Sequence, residues 1–164
     1  MTSLWGPDVA RPELTDADIA AVREVIAGST LQSIEYYEVA ARRHDAPPAD
    51  ESTENDGRLG IEVQLRIDAT SFGVRLNANV VMPLGEATAS VAGEYSISAD
   101  FHPTERVLRM FANEVAVMTV LPYLREAIAT STSRVFGGPV HLPLIERGEI
   151  ALDIEPEESA IAPA

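Results

Sequence analysis

The chain has 164 residues, 46% of them hydrophobic, a formal net charge of −14 and a mean hydropathy near zero, which fits one globular domain with its own core. That charge repels phosphate backbones and anionic membranes, so neither nucleic acid nor a lipid surface is expected as a partner. Cysteine is absent and all 12 basic residues are arginines, which excludes disulfides, thiolate chemistry and Schiff-base lysines.

No apolar run approaches the roughly 20 residues of a membrane helix. Met1 to Arg11 has no basic start followed by an apolar stretch, so no signal peptide is expected, and the cytoplasm is the expected location. "LTDADIAAVREVIAGS" offers Leu14, Asp16 or Asp18 at its start, then Ile19, Val22, Val25 and Ile26 at helical spacing, and stops at Gly28; it predicts a short amphipathic helix. "TLQSIEYYEVAARRH" is rich in β-branched and aromatic residues and predicts a strand. His44 to Arg58 has the Pro, Asp, Glu, Ser and Asn content of a solvated loop.

The second strand is the clearest signal. Leu59, Ile61, Val63, Leu65, Ile67 and Ala69 fall on one face, and Glu62, Gln64, Arg66, Asp68 and Thr70 on the other. A sheet with one buried and one wet face is antiparallel by preference. After a turn at Ser71 to Gly73, Val74, Leu76, Ala78, Val80 and Met82 alternate with Arg75, Asn77 and Asn79. "PLGE" turns the chain again, and Ala87 to Phe101 predicts a fourth strand carrying Val91, Tyr95 and Ile97, with Gly93 a candidate bulge.

The period then changes. Leu108, Phe111, Val115 and Met118 form a helical stripe, Thr104 is placed to cap it, and Glu105 with Arg109 is a favourable pair at helical spacing. Proline inside a helix costs about 3 kcal/mol but almost nothing in its first turn, so Pro122 predicts the start of a second helical segment, continued by Leu124, Ile128 and Val135. Gly137 to Pro139 stops it. Four strands followed by helices predict an α+β fold, a four-stranded antiparallel sheet with helices packed on one face. The expected organisation is an N-terminal helical segment (1–30), an α+β domain (31–145) and an acidic C-terminal tail (146–164).

Catalytic signals are missing. His44, His102 and His141 stand far apart with no partner at metal-ligand spacing, and Ser131 and Ser133 lie outside any nucleophile elbow. The glycines form no phosphate loop. Carboxylate pairs such as Asp16 with Asp18, Glu35 with Glu38 and Glu157 with Glu158 are expected as solvated charge in so acidic a chain. No catalytic residue, metal or cofactor is expected. Arg125 and Glu126 are adjacent, cannot face each other on a helix, and must serve different neighbours.

"PYLRE" at Pro122 to Glu126, followed by "TSR" ending at Arg134, resembles the signature helix of the SecB family of export chaperones, with Leu121 where an aromatic is usual. "LGEATASVAGEYSISADF" resembles that family's hairpin between third and fourth strands, with Leu84, Gly85 and Glu86 in the turn, and "EVQLRID" resembles its second strand. The similarity runs from about Leu31 to Leu144.

The resemblance implies an ATP-independent holdase assembled as a homotetramer, a dimer of dimers. It would bind unfolded or non-native polypeptides, either export precursors or, as in a toxin-antitoxin branch of the family, an aggregation-prone antitoxin. The implied client-binding residues are Val63, Leu65, Ile67, Tyr123, Val140 and Leu142. The family's contact with the motor SecA falls here on Glu38 and Arg42, then Val91 and Gly93, of which Glu38 and Val91 keep the expected character. The other class of function open to such a fold is a small-molecule carrier or enzyme with a pocket between sheet and helices.

Overall fold

A computed structural model describes residues 13–45 and 57–154. Helix α1 (Asp16–Gly28) leads directly into strand β1 (Ser29–Arg43); β2 (Arg58–Ile67), β3 (Ser71–Met82) and β4 (Gly85–Ile97) follow, then helices α2 (Glu105–Phe111) and α3 (Val117–Phe136). The strands form one antiparallel sheet in the order β1-β4-β3-β2, and the helices lie on one face. Most of the predicted loop, residues 46–56, lies outside the described residues.

The cap of α1 is Thr15 rather than either aspartate. Its hydroxyl accepts from the Asp18 amide at 3.1 Å while the Asp18 carboxylate accepts from the Thr15 amide at 3.0 Å, a reciprocal capping box. Arg106 of α2 reaches Asp18 at 2.9 Å and holds its carboxyl below the usual range. Only Val22 and Val25 of the predicted stripe are buried, whereas Ile19 and Ile26 stay exposed.

On the helix-side face, β3 contributes Phe72, Val74, Leu76, Ala78 and Val80, and β4 contributes Ala87, Ala89, Val91 and Tyr95, all buried. Small residues on β4 let the helix come close: a Cβ at Gly93 would meet a Val120 methyl at 3.1 Å. The bulges lie on β1, not at Gly93. The register slips between Leu31 and Ser33 and between Tyr36 and Glu38, leaving Gln32 and Tyr37 as extra residues. Phe72 stacks on Tyr95 with centroids 4.8 Å apart, and Phe111 meets both rings edge-on.

Thr104 caps α2, and Arg109 bonds Glu105 as predicted, at 3.0 Å. Beyond Phe111 the helix widens into a π-helical turn, Ala112–Ala116, before α3 begins. This changes the buried stripe. An α-helix turns every 3.6 residues or so, and a wider turn delays the following residues. Leu108, Ala112, Ala116, Val120, Leu124, Ile128 and Thr132 are therefore buried at a spacing of four, while Val115 is half-buried and Met118 exposed.

Pro122 does not open a new segment, because it lies inside α3. The residue whose carbonyl loses its partner to a proline here is Met118, and both Met118 and Pro122 are on the solvent side, where water can satisfy that carbonyl. The continuous run Glu105–Phe136 is long and apolar enough by composition to cross a membrane, and 56% of its most apolar window is buried within the fold. Gly137, with φ of 85°, ends α3 in the left-handed conformation that glycine adopts without strain.

Candidate functional site

The chain leaving α3 doubles back as an extended strap over the β2 side of the sheet. Val140, Leu142, Ile145 and Ile150 pack on the cluster of Leu76, Val80 and Leu124, which Leu59, Ile61 and Val63 of β2 also border. Leu152 and Ile154 pack on the neighbouring cluster around Phe72 and Phe111, together with Val63 and Leu65.

Helix side chains fasten this strap. Thr132, wholly buried, donates to the Ile128 carbonyl at 2.6 Å and accepts from the Val140 amide at 2.8 Å. Arg125 donates to the carbonyls of Leu142 and Pro143 at 2.7 and 2.8 Å. Farther along, Asn113 in the π-helical turn donates to the Leu152 carbonyl at 2.9 Å and accepts from the Leu152 amide at 2.7 Å. Arg109 donates to the Asp153 carbonyl at 3.1 Å. Arg125 and Glu126 do serve different neighbours: Glu126 turns away and accepts from the Thr130 hydroxyl at 2.7 Å.

Of the six expected client-binding residues, Val63, Leu65, Val140 and Leu142 come together on the β2 side. Leu142 is 5% exposed and acts as an anchor of the strap, whereas Ile67 at the end of β2 is 42% exposed. Tyr123 is on the other side of the sheet. It stands beside Tyr36 of β1, whose phenol is pushed above its ordinary range by burial, with Glu126 and Tyr123 adding to the effect. β1 and β2 are the two edges of a four-stranded sheet, about 14 Å apart at the usual strand spacing. Around Tyr123, the edge strand presents Leu31, Tyr36 and Val39, each at least 40% exposed.

Glu38 and Val91 do not form a joint surface. Val91 is fully buried beneath the helices, while Glu38 faces the opposite side of the sheet and accepts from the Thr88 hydroxyl at 3.1 Å. Period-two alternation decides this: Glu38 pairs with Ser90, one step from Val91, so the two point to opposite faces. Gly93 is likewise buried, and Arg42 instead pairs with Glu86 at 2.5 Å.

That outer face is polar. Arg66 grips Glu94 with two bonds of 3.0 and 2.6 Å, and Arg75 stacks over Tyr37 at 4.3 Å while donating to Ser90. An open depression of about 570 Å³ lies here, on the face away from the helices rather than between sheet and helices. Among the described residues no cluster of His, Asp or Glu could hold a metal ion. Asn113 and Thr132 are the residues that sequence reasoning missed. Thr132 continues the Leu124 and Ile128 stripe at a spacing of four, a signal the sequence did carry, whereas Asn113 lies within the π-helical turn, buried in the row of Val117 and Leu121.

No family model matches the chain. A SecB-like chaperone of Mycolicibacterium smegmatis, SmegB, is 29% identical over 131 residues, covering 80% of this chain and 85% of the relative. The solved structure of a Mycobacterium tuberculosis SecB-like chaperone, in complex with a ChAD peptide from the HigA1 antitoxin, superposes with a TM-score of 0.66 at 20% identity, covering 78% of this chain and 98% of the other. The "PYLRE" helix and the β1-β4-β3-β2 sheet agree with these comparisons, and the chain is similar to SecB-like chaperones in sequence and in fold.

Proposed function

We propose that the protein is an ATP-independent holdase that keeps non-native polypeptides soluble. The observation that carries this reading is the apolar sheet face: α3 seals its centre, yet Leu31, Tyr36 and Val39 on one edge strand and Ile67 on the other stay open to solvent. Apolar side chains kept exposed at both edges of so acidic a chain suit capture of sticky segments, with the charge keeping the complex dispersed. No step in this role needs a catalytic group. The name of the mycobacterial relative supports it, and the antitoxin peptide bound to the structural neighbour favours an antitoxin over general export precursors as client.

In this reading Val63, Leu65, Ile67, Val140 and Leu142 line one client channel along β2, and Tyr123 lines a second beside β1. The N-terminal segment 1–30 and the tail 146–164 flank the binding domain 31–145. The working assembly is a homotetramer in the cytoplasm, and a SecA contact would rest on Glu38 alone among the expected pair. The test is light scattering of chemically denatured clients, and of an aggregation-prone antitoxin, diluted into buffer without nucleotide. Excess protein should suppress aggregation; unchanged scattering for every client would refute the reading. Native mass spectrometry checks the tetramer.

A further inference from the structure

We propose that Asn113 is a backbone-reading residue of the β2-side channel, and that residues 150–154 are its resident occupant, exchanged for an extended client segment with apolar side chains at alternate positions. The inference rests on the holdase reading and specifies what one of its channels recognises.

Asn113 is 6% exposed, and both polar atoms of its side chain are spent on one residue of the strap, the amide and carbonyl of Leu152. Such a pair mimics the ladder of a neighbouring strand and is indifferent to side-chain identity. The next carbonyl, that of Asp153, is taken by Arg109. The occupant itself shows what fits: Ile150, Leu152 and Ile154 turn inward, while Ala151 and Asp153 face solvent. That is the period-two pattern of an extended apolar segment.

Among the described residues, no backbone-to-backbone hydrogen bond ties residues 150–154 to the sheet, so its polar hold comes from helix side chains. A buried amide left without partners is costly, so departure of the strap favours entry of another backbone over an empty channel. The π-helical turn makes this possible. Asn113 lies within it, buried in the row of Val117 and Leu121, where a regular helix interior favours an apolar residue.

The probe is a fluorescein-labelled peptide, Arg-Ser-Ile-Ser-Leu-Ser-Ile-Ser-Arg, with the same residues reordered as Arg-Ser-Ser-Ile-Leu-Ile-Ser-Ser-Arg for comparison. The full chain should bind the alternating peptide more tightly. Leu152→Asp loosens the strap and should tighten peptide binding roughly fivefold or more, since a competing resident segment taxes apparent affinity. Added to Leu152→Asp, Asn113→Ala should then weaken binding about tenfold, with melting curves confirming that both variants fold. Hydrogen exchange supplies a readout free of substitutions: saturating peptide should deprotect the Leu152 amide while the sheet stays protected.

If Leu152 stays protected with peptide bound, or Leu152→Asp leaves affinity unchanged in a folded protein, the exchange is refuted while the holdase reading stands. Equal affinity for the two peptides refutes the alternation. If the protein binds neither peptide but still suppresses aggregation, this site assignment falls alone; if it does neither, the holdase reading falls with it.

Discussion

Replacing Arg125 by methionine keeps the aliphatic stem and removes the guanidinium that donates to the Leu142 and Pro143 carbonyls at 2.7 and 2.8 Å. A hydrogen bond from a charged donor contributes about 1.5–3 kcal/mol when shielded. The Leu142 bond is partly buried and falls at the low end of that range; the Pro143 bond is exposed and adds little. The expected loss is about 2 kcal/mol, or about 4–8 °C in Tm for a domain of this size. If the strap lifts far enough to expose Leu142, a further loss of about 2 kcal/mol follows from wetting a leucine. Urea unfolding followed by circular dichroism gives the total, and hydrogen exchange at residues 140–145 separates local release from global weakening. Arg125→Lys, which keeps the charge but not the fork, should fall between the two. Unchanged stability together with unchanged exchange at 140–145 would refute the claim that the "RE" pair of this helix anchors the strap through its arginine.

Thr132→Val preserves shape but leaves the Val140 amide without its acceptor, so urea unfolding should show a loss of about 1–3 kcal/mol and the Val140 amide should exchange faster. Gly85→Ala places a methyl against the Arg42 carbonyl and within 2.8 Å of the Phe136 ring, so it should cost about 1–3 kcal/mol and fray the β1–β4 pairing, visible as faster exchange of the Arg43 and His44 amides. Asp18 has its pKa depressed, first by its hydrogen bond to Arg106 and then by the Thr15 amide, so its contribution is present above pH ~3.8 and is lost as pH falls through the lower folded value. Asp18→Asn should therefore flatten the acid limb of a stability-versus-pH curve and leave its neutral-to-alkaline shape unchanged.

The sheet was legible because strand alternation is unforgiving. One face of β2 and β3 is apolar at every second residue, so a one-residue slip would turn that whole set to solvent. The bulges of β1 were not legible, since Gln32 and Tyr37 carry no glycine or proline to announce an extra residue. Helix phase failed for a related reason. The apolar residues of Met110 to Leu121 are dense enough to fit several stripes, and only the π-helical turn selects the one through Ala116 and Val120 rather than Val115 and Met118. Pro122 was misread because its cost depends on whether Met118 meets solvent, which a local sequence does not specify. The six candidate client-binding residues came from the resemblance to the SecB family, and four of them, Val63, Leu65, Val140 and Leu142, lie together on β2 and the strap. Placing Tyr123 at the opposite edge required the path of α3 across β4, β1 and β3.

That path has a geometric consequence for function. A helix with its side chains is about 10–12 Å wide, whereas four strands span about 14 Å between their outer axes, so one helix cannot roof the whole sheet. An apolar strip is left along each edge, and the chain treats the two differently. The β2 strip is roofed by the strap, held through Arg125, Thr132 and Asn113. The β1 strip is left with Leu31, Tyr36 and Val39 open beside Tyr123. β1 is also the longest strand, at 15 residues, and its outer edge pairs with nothing among the described residues. An exposed edge with apolar side chains invites strand addition. Under the proposed homotetramer a second copy along β1 would bury that strip, and under the proposed exchange of residues 150–154 clients would enter along β2.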